Sequence, residues 1–235
     1  EPAPRIYSIR LQSAITYYLM SQFINRYGAE IIQRSLEHLY LVTIAIFIAI
    51  IVGIPLGILV TRKPKLKKPI LGFANIMQTI PSLALFGLLI PVPVLGGIGD
   101  RTAIIALTLY SLLPIIRNTY TGIVGVDRAI VVAGTGMGMT DMQLLWQVEL
   151  PLALGVILAG VRVAAVIAIG LGTIAAAIGA GGLGVFIFRG VATVNNQLLL
   201  AGAIPAALMA LAADFGLGLV ETRLSKSTLK TMNED

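Results

Sequence analysis

Apolar residues fall into five long runs separated by short polar stretches, and the runs have the length of membrane-crossing helices. His38–Val60 (HLYLVTIAIFIAIIVGIPLGILV) carries no formal charge apart from its histidine. At 1.5 Å per residue it reaches roughly 35 Å, enough for a ~30 Å hydrocarbon core. Ile70–Pro91 has no charge at all. Thr102–Ile116 is short and is expected to continue through Arg117 and Asn118 to Thr121. Leu152–Ile178 contains one charge, Arg162, and Leu198–Val220 one, Asp214. Residues 11–37 do not make a span, because Ser13–Ile24 is too short and Arg26 follows it. A helix lying in the outer interface is expected there, with a sixth span as the alternative. No fixed-period repeat, heptad or low-complexity tract is present.

Composition settles the class. Of 235 residues 57% are hydrophobic and 12% charged, whereas a soluble domain is about a quarter charged. So few polar side chains cannot cover a water-facing surface, and an all-α integral membrane protein follows. There is no cysteine, and His38 is the one histidine. Disulfides, thiolate chemistry and Cys-ligated metals are excluded, and a His-based metal site is not expected. The net charge of +6 points to topology rather than nucleic acid. Five basic residues and no acid crowd into Thr61–Pro69 (TRKPKLKKP), the signature of a cytoplasmic loop. That orientation places the N-terminus outside and the C-terminus inside. It puts ten basic residues on inner segments and six on outer ones. The expected organisation is an outer segment at 1–37, a transmembrane unit at 38–222 and a cytoplasmic tail at 223–235. A cytoplasmic loop at 122–150 lies within the unit. The opening residues EPAPRIYSIR carry no signal-peptide pattern.

Catalytic chemistry is hard to find. GTGMG (Gly134–Gly138) lacks the strand and the Lys-Ser/Thr that a phosphate loop requires, and no GxxxxGK[ST] occurs in the chain. Ser, His and acidic residues are not grouped in any span. Uphill transport would therefore take its energy from another subunit or an ion gradient. Polar residues within the spans stand out, because each is costly in lipid. Arg162 lies ~15 Å and Asp214 ~12 Å from the inner ends of their spans, counting helical rise. Matching depths predict an intramembrane pair; separate solvation in an inner vestibule is the alternative. In QTIPSLALFGLLIP, Pro81 is expected to kink the second span. Gln78 and Ser82, four apart, would share a face. They either bond between helices or line a pathway. Gly-rich IGAGGLG (Ile178–Gly184) closes the fourth span outside. Phe186, Phe188 and Arg189 after it are expected at the outer surface, as an interfacial turn or a lip for an external protein.

The loop between the third and fourth spans, GTGMGMTDMQLLWQVELP (Gly134–Pro151), is polar and sharply punctuated. Asp127 is placed to cap a short helix, Arg128–Ala133. Thr140 with Gln143 makes a capping box, and Met142, Leu145 and Trp146 fall on one helical face. Pro151 is expected to start the next span, where its missing N–H is harmless. Two short helices joined by a glycine turn suit a docking element better than a spacer.

This segment resembles the cytoplasmic EAA loop of ABC-importer permeases. In that motif a Gly precedes a terminal Leu-Pro by a helix's length, which Gly138 and Pro151 reproduce. The Glu-Ala-Ala positions fall on Val132, Ala133 and Gly134, so the motif's glutamate is absent. The stretches Glu37–Leu59, Asn75–Pro91, Gly136–Arg162 and IGAGGLG are similar to the osmoprotectant branch of these permeases, which serves glycine betaine, choline and carnitine. The resemblance covers roughly residues 30–225. It implies a type I ABC importer permease fold: five core transmembrane helices plus the N-terminal interfacial helix. It implies that Ala133, Gly134, Gly138, Thr140, Met142, Leu145 and Trp146 engage a separate ATPase and move spans three and four. It implies a permease pair, two cytoplasmic ATPases carrying ATP-Mg, and an external substrate-binding protein, with no cofactor bound by this chain. Gln78, Pro81 and Ser82 become candidates for the pathway. A same-fold permease for an amino acid or sulfonate remains open, as does an ion-coupled carrier, for which one buried acid and no repeat are poor support.

Overall fold

The computed structural model describes residues 5–93 and 96–234, with the side chains of residues 22, 23, 25–93 and 96–224. Among the described residues it is helical without a strand. Helix α1 (Arg5–Arg62) runs unbroken, so residues 11–37 and the first span form one helix rather than an interfacial helix and a separate crossing. No Gly or Pro lies between Gly28 and Gly53 to interrupt it.

The second crossing is broken. Helix α2 (Lys67–Thr79) and helix α3 (Ser82–Leu89) meet at 104°. Pro81 does more than kink the expected span. It pushes the preceding residue out of the helical region, so Ile80 is extended at φ −64°, ψ 130°, and Pro81 follows at ψ 133°. Two consecutive extended residues turn the chain sharply. The pair still traverses the bundle. Ala74 of α2 packs with Leu112, Leu113 and Ile116 near one end. Leu85 and Phe86 of α3 pack with Leu41, Ala103 and Ile178 near the other.

Helix α4 (Asp100–Val124) is the central post, buried along most of its length, with α1 and α7 packed against it. Small residues allow the close approach. GIPLG in α1 places Gly53 and Gly57 against α4, where a Cβ would lie 2.8 Å from Ile115 Cγ2 and 2.5 Å from Thr119 Cβ. On the opposite seam Gly160 faces Asn118, whose Cβ would be 2.5 Å away. Tight small-residue seams are how helices associate where lipid removes the hydrophobic drive.

After α5 (Arg128–Gly136) and α6 (Asp141–Leu144), a π-helical turn (Leu145–Glu149) leads straight into α7 (Leu150–Gly172). Pro151 lies in the first turn of α7, as expected, although the helix runs into it from the π turn without a break. The Leu150 N–H bonds to the Leu145 carbonyl, five residues back, and this wider turn lets the helix continue through a residue that would otherwise break it. A 3₁₀ turn (Ile174–Ile178), α8 (Gly184–Ala192) and α9 (Asn196–Glu234) complete the chain. The 223–235 segment prolongs α9 as far as Glu234 rather than leaving the helix. With the bent pair counted as one crossing, five apolar crossings are present among the described residues. Phe47, Leu211 and Phe215, each more than half exposed, belong to the apolar outer surface that lipid would cover.

Candidate functional site

Hydrogen bonds between elements distant in sequence mark two ends of the bundle. At the basic-loop end, Lys67 Nζ donates to Tyr120 OH (2.9 Å) and Arg117 Nη2 to Asn75 Oδ1 (3.2 Å). At the glycine-turn end, Gly182 N–H donates to Glu37 Oε2 (3.1 Å) and Gly99 N–H to the Ile178 carbonyl (2.9 Å).

The 128–149 segment lies at the basic-loop end and has the two-helix shape expected from its sequence. Asp127 Oδ1 accepts from the Ala129 N–H at 2.8 Å and caps α5. The helix runs three residues beyond the expected Ala133, because α5 ends in a Schellman closure. Met139 N–H bonds to the Gly134 carbonyl (3.1 Å) and Gly138 N–H to the Thr135 carbonyl (3.0 Å). That closure needs a left-handed residue, supplied by Gly138 at φ +85°. Thr140 and Gln143 then complete both halves of the capping box, starting α6. Gly134 is buried for a packing reason, since a Cβ there would sit 2.9 Å from Leu144 Cδ1.

One member of the expected face points elsewhere. Met142 and Trp146 are each 63% exposed and touch, Trp146 Nε1 donating to Met142 Sδ at 3.1 Å. Leu145, which the periodicity groups with them, is buried among Ile54 and Ile58 of α1, Ile123 of α4 and Ala153 and Ile157 of α7. Leu145 lies about 100° around the helix from Trp146, which turns it toward α1, α4 and α7 while Met142 and Trp146 take the outer side. Val132, in the position where the motif has glutamate, is exposed, as are Ala133 and Met137.

Arg162 and Asp214 do meet, Nε to Oδ1 at 3.7 Å. A second carboxylate joins them: Glu221 Oε2 lies 3.4 Å from the same Nε. Asp214, Gly218 and Glu221 share a face of α9, and Gly218 provides the room. A Cβ there would be 3.0 Å from Arg162 Nη1. Arg162 is about one-third exposed and Asp214 about half, so the cluster opens to a surface. Sequence inspection misses Glu221 because it lies just past the apolar run.

Gln78 and Ser82 do not share a face, because the break puts one on α2 and the other on α3. Pro81 is exposed at the elbow between them. The carbonyl freed there is not left bare: Tyr110 OH donates to the Ile80 oxygen. The elbow therefore sits against the central helix about midway along the bundle.

At the glycine-turn end, Gly179, Gly181 and Gly182 all have positive φ, between 74° and 77°. His38 is fully buried beside them, its Nε2 donating to the Ile169 carbonyl at 3.0 Å. Phe186, expected at the surface, is fully buried and stacks edge-on to Tyr27 of α1. Phe188 remains half-exposed, and Arg189 pairs with Glu30 at 2.8 Å. A pocket of about 250 Å³ opens nearby between Arg34, Glu37, Tyr40 and Asp100.

One contact has no precursor in the motif. Glu149, last residue of the π turn, is buried and accepts both arms of the Arg62 guanidinium, Nη1 to Oε1 at 3.3 Å and Nη2 to Oε2.

Residues 49–226 match the family of binding-protein-dependent transport system inner membrane components. The chain is 42% identical over 212 residues to the carnitine transport permease protein OpuCB of Listeria monocytogenes, covering 90% of this chain and 96% of that one. It is 47% identical over 224 residues to the glycine betaine/carnitine/choline transport system permease protein OpuCD of Bacillus subtilis, covering 95% and 94%. Among solved structures it resembles a chain of the inward-facing MetNI methionine ABC transporter, at TM-score 0.68 and 28% identity, covering 81% of this chain and 96% of that one.

Proposed function

Because the chain belongs to the family of binding-protein-dependent transport system inner membrane components, we propose that it carries a quaternary-ammonium osmoprotectant across the membrane. Glycine betaine, carnitine and choline are the solutes in the names of its relatives. In this reading two copies form the conduit, two ATPases holding ATP-Mg sit at the basic-loop end, and an external binding protein delivers solute at the glycine-turn end. The basic-loop end and the C-terminus are then cytoplasmic, in keeping with the positive-inside rule, in a cell inner membrane.

The observation that carries the reading is the geometry of 128–149. Two capped helices joined by a Schellman turn present Val132, Met137, Met142 and Trp146 outward, each more than 60% exposed. An exposed apolar face rimmed by Ala133, Gly138 and Thr140, with Gly134 buried behind it against Leu144, suits insertion into a cleft of a separate protein. With valine in place of the motif's glutamate, that contact rests on apolar burial rather than charge. Leu145 anchors the base of the segment into α1, α4 and α7, so displacing the loop displaces the crossings. Alternating access then follows from rigid movement of packed helices. The elbow at Gln78, Pro81 and Ser82 is the proposed pathway element, since irregular backbone at membrane depth is tolerated where it lines a cavity or is buried in protein.

The test is uptake of radiolabelled glycine betaine, carnitine and choline by proteoliposomes containing this permease, its ATPase and its binding protein. ATP-dependent uptake of at least one of the three supports the reading. ATP-driven uptake of an amino acid instead would move it to another solute class. Uptake by the permease alone would replace it with a carrier.

A further inference from the structure

The Arg62–Glu149 bridge lies outside every role assigned so far. Glu149 is buried, with its side chain 6% exposed, and Arg62 is the last residue of α1. A bridge of this kind is poor value as mere glue. Burying the Glu149 carboxylate offsets much of its attraction to Arg62, whose side chain is 36% exposed, and a well-packed apolar residue there would stabilise about as well. What a two-armed guanidinium–carboxylate contact adds is a fixed mutual orientation.

Its surroundings use that orientation. Ile54, Ile58 and Arg62 lie four residues apart along one stripe of α1. The π turn meets this stripe at both ends, Leu145 lying in the apolar cluster against which the two isoleucines pack and Glu149 pairing with the arginine. The stiff five-residue turn is thus held to α1 at both its ends. The neighbouring stripe of α1, Gly53 and Gly57, is locked onto α4. Toward its N-terminal side the same helix meets the glycine turn, Glu37 accepting from the Gly182 N–H, while His38 Nε2 donates to the Ile169 carbonyl of α7.

We propose that α1 is a transmission rod. The Arg62–Glu149 bridge makes it follow the 128–149 loop, and α1 delivers that movement to the 179–182 glycine turn at the opposite face. Glu149 and Arg62 are positioning residues: they touch no solute and act through α1. This rests on the coupling role proposed above for the loop.

The chain is cysteine-free, so Val194→Cys, exposed at the far end, accepts one environment-sensitive fluorophore. The complete transporter in proteoliposomes is compared as wild type, Glu149→Gln and the exchange Arg62→Glu/Glu149→Arg. Three quantities are read: co-purification with the ATPase, solute moved per ATP hydrolysed, and the ATP-induced change in the label. Glu149→Gln should still co-purify and hydrolyse ATP. Its solute-to-ATP ratio should fall roughly tenfold and the label response should vanish; the exchange should restore both. A Glu149→Gln protein with a wild-type ratio and label response overturns the proposal. If Glu149→Gln does not accumulate in the membrane, the exchange decides: restored accumulation with restored ratio and label response supports the rod, and any other result overturns it. Failure of the wild type itself to couple ATP to uptake is a separate result, which rejects the function proposed above.

Discussion

Replacing Gly138 by valine probes the loop with the least disturbance elsewhere. Gly138 sits at φ +85°, and no atom lies within 4 Å of where its Cβ would be. The cost of a side chain is therefore conformational rather than steric contact with neighbours. A non-glycine residue in the left-handed region costs roughly 1–2 kcal/mol, and a β-branched one lies at the upper end of that range. At ~1.4 kcal/mol per factor of ten, the Schellman turn joining α5 and α6 loses about 5- to 30-fold in population relative to conformers with a different inter-helix angle. Residue 138 is exposed and far from the packed seams, so membrane abundance should not change. Uptake and transport-stimulated ATPase in proteoliposomes should fall by about the same factor, while Gly138→Asn, which tolerates the left-handed region, should retain most activity. Wild-type uptake by Gly138→Val, or equal losses for valine and asparagine, would refute the argument from turn geometry.

Gly57→Leu should cripple membrane accumulation, since even its Cβ would overlap Thr119 at 2.5 Å and overpacking of this kind costs about 1–3 kcal/mol or more; normal yield of monodisperse protein would contradict the seam. Arg162→Ala should destabilise more than Asp214→Asn or Glu221→Gln, because it leaves two carboxylates facing each other, and the exchange Arg162→Asp/Asp214→Arg should recover part of the loss. Detergent-extracted melting temperatures report the order, and an exchange no better than either single change would remove the pairing. Val194→Gly should raise the melting temperature by about 2–4 °C, as it relieves a β-branched residue held at φ +51°; a fall would mean that the valine side chain holds the α8–α9 turn.

The fold class and most of the crossings were legible because lipid imposes length and polarity on whole segments. The runs at 38–60, 102–121, 152–178 and 198–220 all fall within or largely within observed helices. The caps at Asp127 and Thr140 were equally legible, since capping is a local matter of a few residues. What the sequence could not display depends on contacts remote along the chain. Pro81 reads as a kink, but whether a proline bends or breaks a helix turns on whether the freed groups find partners, and Tyr110 thirty residues away supplies one. Leu145 fits the helical period of Met142 and Trp146, but its side of the helix is the one turned to α1, α4 and α7. Arg162 and Asp214 could be matched by depth, whereas Glu221 was masked by its place at the end of an apolar run. Arg62 reads as one charge of a topological signal and Glu149 as an ordinary helical residue. Only their apposition across 87 residues makes them a bridge.

The central claim is that a separate ATPase drives solute through this bundle by way of the 128–149 loop. The most direct test is ATP-dependent uptake of glycine betaine, carnitine or choline by proteoliposomes holding permease, ATPase and binding protein, with Trp146→Ala and Met142→Ala introduced together as the loop variant. The account predicts concentrative uptake that requires ATP and all three components, and that the double variant abolishes along with ATPase co-purification. Concentrative uptake persisting in the double variant, or occurring without the ATPase, would contradict it.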